Sequence, residues 1–207
     1  MIKALITDFG GVLVRTHTDR SRRELERKLK LPLHTIEERV FNSDLSIRAQ
    51  HGELTEEEFW SAAVRELQAD DQFKDAADFR HEFFADDFLD QNLVNLIRSV
   101  RPALKTGLIS NAWTDLRKVL RTTFAIEDIF DVLVISAEEK IMKPDPWIYR
   151  LALNRLGVKA HESIFLDDVH LNVEAARAAG MIGVHFHSTE QAQRELRTLL
   201  AGAALGQ

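Results

Sequence analysis

Three short apolar runs along the chain break off into polar residues. Ile2 to Thr7 ends at Asp8, Lys105 to Ile109 at Ser110 and Asn111, and Ser163 to Leu166 at Asp167 and Asp168. Two further runs, Asp131 to Ser136 and Gly183 to Phe186, share their length and their β-branched or aromatic character. Between these runs the apolar spacing becomes helical, over Thr114 to Thr123, Pro146 to Leu156 and Asn172 to Ala179. Strands of this length alternating with helices predict an α/β fold, a Rossmann-like, doubly wound parallel sheet. Helix punctuation agrees: Asp145 before Pro146 is an N-cap followed by proline at the first helical position, and Gly157 and Gly180 stand where left-handed C-terminal residues belong.

The stretch from Thr16 to Ser99 has a different pattern, with no convincing strand. Its spacing predicts helices over Arg20 to Leu29, His34 to Phe41, Glu56 to Leu67, Phe73 to Phe84 and Gln91 to Val100. Thr55 and Glu58 form a capping-box signature, Asp90 can cap the last helix, and Pro102 is expected to stop it. The chain therefore divides into an α/β core of residues 1–15 and 100–207 and a small all-α cap of residues 16–99. The charged runs Arg20 to Arg23 and Glu56 to Glu58 read as solvated faces.

Composition narrows the function. The 207 residues carry a formal net charge of -6, which argues against a non-specific grip on nucleic acid. With no cysteine, disulfides, thiolate metal sites and cysteine nucleophiles are excluded. The apolar start is too short for a signal-peptide core or a membrane span, so a cytoplasmic protein with no membrane partner is expected. None of the eight histidines lies in a metal-binding spacing, and His185 and His187 read as structural or exposed. Trp60, Trp113 and Trp147 read as core or cap packing. Ligands of doubly wound sheets bind beyond the carboxyl ends of the strands. That rule gathers Asp8, Ser110, Asp167 and Asp168 at one edge. Three clustered carboxylates need cations to stay ionised together, and a hard, oxygen-seeking ion such as Mg²⁺ suits them.

These segments carry a family resemblance. Ala4-Leu5-Ile6-Thr7-Asp8-Phe9-Gly10-Gly11-Val12-Leu13 resembles the first motif of the haloacid dehalogenase superfamily, and Leu108-Ile109-Ser110-Asn111 the second. Lys143-Pro144-Asp145-Pro146-Trp147-Ile148-Tyr149 is similar to the family's lysine motif. Phe165-Leu166-Asp167-Asp168, continuing through Asn172 and Ala175-Ala176-Arg177 to Gly180-Met181, resembles its acidic motif. All four stand in family order, nearest to the subgroup of epoxide hydrolase N-terminal phosphatase domains and sugar-phosphate phosphatases.

The resemblance implies a Mg²⁺-dependent hydrolase of small phosphorylated metabolites, with Asp8 as a nucleophile that becomes phosphorylated. It implies metal ligands at an Asp8 oxygen, the Gly10 carbonyl and Asp168, with Asp167 binding directly or through water. Lys143 would neutralise Asp8 and a phosphate oxygen, while the Ser110 hydroxyl and the Asn111 backbone hold the phosphoryl group. Asn172 would be structural or would orient Lys143, at a position where the family often has Asp.

One departure matters. Most phosphatases of the family carry a second Asp two positions after the nucleophile, to protonate the leaving alcohol, and here that position is Gly10. Such a group is worth ~10²–10⁴-fold in rate. Three expectations follow: a preference for esters with good leaving groups, a proton supplied by His17 or His51, or a phosphate-binding protein without turnover. Dehalogenation of 2-haloacids also dispenses with the second Asp, but it needs no metal, and its enzymes carry tyrosine at that place. A phosphonoacetaldehyde hydrolase would need a Schiff-base lysine from the cap, where Lys28 and Lys30 are the nearby residues.

Overall fold

A computed structural model describes residues 1–101 and 103–204. Five strands form one parallel sheet: β1 (Ala4–Thr7), β4 (Lys105–Ser110), β5 (Val132–Ile135), β6 (Ser163–Asp167) and β7 (Ile182–His185), in the order β5-β4-β1-β6-β7. The chain runs from β1 outward through β4 and β5, then crosses to the other side for β6 and β7. The switch in direction lies at β1, where a crevice opens beyond the strand ends.

Period-two alternation sends successive side chains to opposite faces. Leu5, Leu108, Leu133, Ile135, Ile164, Leu166 and Val184 join a core with α6 (Gln91–Val100), α7 (Leu116–Thr122) and α11 (Thr189–Ala204). Ala4, Ile6, Ile109, Val134 and Phe165 face α9 (Pro146–Leu156) and α10 (His170–Ala178). Both faces being covered explains why the strands read as continuous apolar runs. The expected punctuation is present. Asp145 accepts from Trp147 N ahead of Pro146, and Gly157 closes α9 in the left-handed region.

The insert has its own core. Helices α1 (Arg20–Leu29), α2 (Thr35–Glu37, continued by a π-helical turn over Glu38–Asn42), α3 (Asp44–Gln50), α4 (Glu56–Glu66) and α5 (Ala76–Phe83) bury Leu25, Ile36, Phe59, Trp60, Phe79 and Phe83 together. The Thr55–Glu58 capping box forms in both directions.

Four readings of the pattern are corrected. The insert is flanked by a two-stranded antiparallel ribbon, β2 (Val14–Thr16) with β3 (Asp87–Leu89), which three-residue strands are too short to announce by alternation. Helix α6 packs Leu93, Val94 and Ile97 on the sheet, not within the insert, and its N-cap Asp90 also pairs with Arg15 and Thr189. Arg22 is not on a solvated face. It is buried between Glu37 and Asp87, at 2.5 and 3.0 Å. Trp147, read as packing, is exposed and stacks under Arg150. Pro102, expected to stop α6, lies outside the described residues. No helix among the described residues is long and apolar enough to cross a membrane.

Candidate active site

Register sets the site. Thr7 pairs with both Leu108 and Leu166, so Asp8 and Asp167, the next residues, leave neighbouring strands at one level. Asp8 N donates to Leu166 O at 2.8 Å, and Phe9 N donates to the Asp8 Oδ1 at 2.7 Å. Lys143 arrives from the loop before α9, its ammonium almost wholly buried. Its Nζ lies 2.8 Å from Asp8 Oδ1 and 2.7 Å from Asp167 Oδ2.

Asp167 is fully enclosed and heavily engaged. Oδ1 accepts from Val169 N at 2.8 Å and Asn172 Nδ2 at 3.1 Å, while Oδ2 accepts from Lys143. Its geometry is that of a residue holding Lys143 in place. Asn172 is in turn tied down, since the buried Tyr149 hydroxyl donates to its carbonyl at 2.9 Å. Asp168, beside it, is partly open to the cavity.

Two contacts have no local signal in the chain. The Asn111 side chain clamps the Lys143 backbone, donating to its carbonyl at 2.9 Å and accepting from its N–H at 2.8 Å. Gly11, at φ +77°, lies so close to Asp168 that a Cβ would sit 2.2 Å from its Oδ2. Only glycine combines that backbone with that approach. Gly10, by contrast, is exposed, and a Cβ there would meet nothing within 4 Å.

The electrostatics call for a cation. Asp8, Asp167 and Asp168 each offer an oxygen, all within 4.8 Å of one another. Burial pushes the Asp8 carboxyl up to about 7; Lys143 pulls it down, and Asp167 and Asp168 add to the rise. Asp168 is also raised, by burial and then by Asp167. Burial presses the Lys143 ammonium down, but the two carboxylates outweigh it and hold its pKa above the ordinary lysine value. One ammonium thus faces three carboxylates, a hard-oxygen set of the kind that takes Mg²⁺.

Above this floor is a cavity of about 1110 Å³ between sheet edge and insert. Ser110, Asn111, Gly10 and Gly11 line it from below, and Phe9, Phe41, Phe84, Trp113, Leu116, Val119 and Phe124 form apolar walls. Helix α5 and its C-cap turn Ala77, Arg80, His81 and Phe84 to it, at i, i+3, i+4 and i+7 spacing. The histidine lining the cavity is therefore His81, which the sequence reading missed. His17 instead stacks on Phe88 with ring centroids 3.6 Å apart, and neither it nor His51 reaches the cavity wall. Lys28 sits over the Phe73 ring and beside Glu82, and neither it nor Lys30 lines the cavity. His185 is structural, bonded to the Asp168 carbonyl at 2.8 Å and packed on His187.

Comparisons with known proteins agree with this geometry. The haloacid dehalogenase-like hydrolase family matches residues 2–180. A phosphatase of Mycobacterium tuberculosis is 31% identical over 186 residues, covering 87% of this chain and 85% of its own. The bifunctional epoxide hydrolase 2 of Sus scrofa is 28% identical over 211 residues, 94% of this chain, and this chain spans only 38% of that protein's length. A solved HAD family enzyme of Bacteroides thetaiotaomicron, in complex with magnesium and inorganic phosphate, shares the fold. Its TM-score is 0.75 at 22% identity, covering 90% of this chain and 95% of that one. With the four motifs assembled at one sheet edge and the family matched over most of its length, this chain belongs to the haloacid dehalogenase-like hydrolases.

Proposed function

We propose that the protein is a Mg²⁺-dependent phosphatase that hydrolyses phosphate monoesters through an aspartyl-phosphate on Asp8. The observation that carries this reading is the buried Lys143 ammonium 2.8 Å from the Asp8 carboxylate at the floor of the cavity between sheet edge and insert. A carboxylate at that point can attack phosphorus while an adjacent cation holds the phosphoryl oxygens.

In the first half-reaction an Asp8 oxygen forms a bond to phosphorus as the ester P–O bond breaks and the alcohol leaves. In the second, water attacks phosphorus and the Asp8–phosphorus bond breaks, releasing phosphate. Asp8, the Gly10 carbonyl and Asp168 are the residues suited to hold Mg²⁺, which supplies charge neutralisation between carboxylate and phosphoryl oxygens. Ser110 and Asn111 line the same floor, where the Ser110 hydroxyl and the Asn111 backbone N–H donate hydrogen bonds to the phosphoryl oxygens. Asp167 acts on Lys143, keeping it charged and aimed, with Asn172 and Asn111 fixing the two ends of that arrangement. No carboxyl stands at Gly10, so the leaving alcohol takes its proton from elsewhere, and esters with good leaving groups are favoured.

The cavity walls bear on the substrate. Its arginines are already neutralised: Arg15 by Asp90, Arg22 by Glu37 and Asp87, Arg80 by Glu56 and Asp115. The remaining wall is largely aromatic and aliphatic. This favours a monophosphate with a neutral, mostly apolar organic part over a sugar phosphate or a second anionic group, with the insert α1–α5 acting as the cap that selects it.

The test is a phosphate-ester panel with and without Mg²⁺, alongside Asp8→Asn. Hydrolysis that needs Mg²⁺ and vanishes in Asp8→Asn is expected. Activity surviving that substitution overturns the mechanism. Metal-independent hydrolysis of 2-haloacids replaces it with dehalogenation, and phosphate binding without turnover of any ester reduces the protein to a binding module.

A further inference from the structure

The loop after β4 carries more than the phosphate-side residues. Three positions beyond Ser110, Trp113 leaves the core and enters the aromatic cluster of the insert. Its ring lies 4.9 Å from Phe59 at 24° and 6.1 Å from Phe41 at 12°, with edge contacts to Trp60 at 5.4 Å and Phe84 at 6.3 Å. Four aromatic partners from three different segments of the insert thus grip one core side chain. Its indole N–H is buried with no acceptor, so stacking and not a hydrogen bond holds the ring.

Two further ties surround it. Asp115, two residues on, pairs with Arg80 of α5 at 2.6 Å. Gly52, after α3, packs so closely on the Ala137 carbonyl that a Cβ would lie 2.1 Å from it. Ala137 belongs to α8 (Ser136–Glu139), whose Ser136 hydroxyl holds Ala112 through both its N–H and its carbonyl, at 3.0 and 3.2 Å. The segment from Ser110 to Asp115 is therefore bonded to α8 below and embedded in the insert above.

We propose that Trp113 is a positioning residue: it clamps the insert to the Ser110–Asn111 loop, so that the packing of the cap sets the phosphate-side groups in place. Swinging the insert away about the β2–β3 ribbon would pull Trp113 out of its cluster and drag the loop that Ser110 and Asn111 belong to. The loop and the cap move together or not at all.

Hydrogen exchange read segment by segment tests this in the full chain, with Trp113→Leu, which keeps apolar volume, and Trp113→Phe, which keeps the stack. In Trp113→Leu, exchange is expected to rise about ten-fold in α4, α5 and the 110–115 loop together, for loss of the aromatic contacts. Exchange in β1, β6 and α9 is expected to stay within about two-fold of the parent. Trp113→Phe restores most of the protection. Asp115→Asn, a milder cut at the same junction, is expected to give the same pattern at smaller amplitude. Faster exchange confined to the insert, or spread evenly over the chain, overturns the proposal and leaves Trp113 as ordinary packing. A kinetic arm rests on the phosphatase reading: kcat on p-nitrophenyl phosphate should fall up to about 100-fold in Trp113→Leu, for misplacement of Ser110, and recover in Trp113→Phe. If the parent protein hydrolyses no ester, that reading fails while the exchange arm still decides the clamp.

Discussion

Asp8 is held by its neighbours in a state that a lone surface aspartate never reaches. Burial raises it, Lys143 opposes the rise, and Gly10, two residues on, leaves open space at the position where the family resemblance leads one to expect a second carboxyl. Gly10 lies outside the left-handed region and has no neighbour within 4 Å of a Cβ, so the first carbon of a side chain in Gly10→Asp displaces nothing. A carboxyl there can protonate the departing alcohol, a role worth ~10²–10⁴-fold. Gly10→Asp is therefore expected to raise kcat on an alkyl phosphate, a poor leaving group, by at least about ten-fold. On p-nitrophenyl phosphate, whose p-nitrophenolate leaves without a proton, little change is expected. Equal effects on both substrates would show that the missing proton donor is not what limits the enzyme.

At this scale the sequence was most informative where a residue ends a pattern. Asp8, Ser110, Asp167 and Asp168 each stand where an apolar run stops, and Lys143 precedes a Pro-Asp-Pro helix start. The partners of those residues were not legible. Nothing in Asn111 tells that its amide grips the Lys143 backbone 32 positions away, or in Gly11 that Asp168 lies against it. His17 and His51 were reasonable proton donors from chain position alone, yet the fold turns His81 to the cavity instead.

Elements show how local signals and long-range packing divide the work. The capping box of α4 and the Asp-Pro start of α9 form as their residues dictate, because both ends of each interaction lie within one turn. Asp90 was readable as an N-cap for the same reason. Its second task was not: the same carboxylate pairs with Arg15 on β2 and Thr189 at the start of α11. Asp90→Ala removes the cap and leaves a half-buried arginine without its partner. A loss of roughly 3–5 kcal/mol is expected, well beyond the ~1 kcal/mol of a cap alone. Urea denaturation measures it, and a loss near the smaller figure would mean that the β2–α6–α11 junction contributes little.

The insert looked like an independent helical unit ending at Ser99. The structure instead gives α6 to the sheet, because Leu93, Val94 and Ile97 complete the face formed by Leu5, Leu108 and Leu133. An amphipathic helix announces that it has a partner, but not which one.

For the molecule as a whole, the carboxylate cluster is a source of electrostatic repulsion that a bound cation would relieve. A carboxyl raised from 3.8 in the unfolded chain to about 7 in the folded one keeps a proton that the unfolded state has lost. Folding is then favoured below the lower value, and that advantage disappears as pH climbs through the higher one. Asp168, raised by burial, acts in the same direction. Without divalent cations the melting temperature is expected to fall between about pH 4 and about pH 7 from this source. Millimolar Mg²⁺ should raise it more at about pH 8, where the carboxylates are ionised, than at about pH 5. Calorimetry across that range, repeated with Asp168→Asn, provides the check. An Mg²⁺ effect independent of pH, or undiminished in the variant, would place the binding elsewhere.

By itself the sequence determined the alternation of strand and helix, the parallel sheet, the family, and the residues that end the central strands. The elements are written in near neighbours, in unbroken apolar runs, a helical period of 3.6 and caps a turn apart, and the family in four motifs recognised by their resemblance. The tertiary structure decided what those residues are held by. The level register of β1 and β6 brings Lys143 between Asp8 and Asp167, and the closure of the insert over the sheet assigns His81, Arg22 and Trp113 to the cavity and its roof. Such contacts join positions tens of residues apart, and their strength comes from burial. Burial is a property of the assembled fold, and no stretch of chain carries it alone.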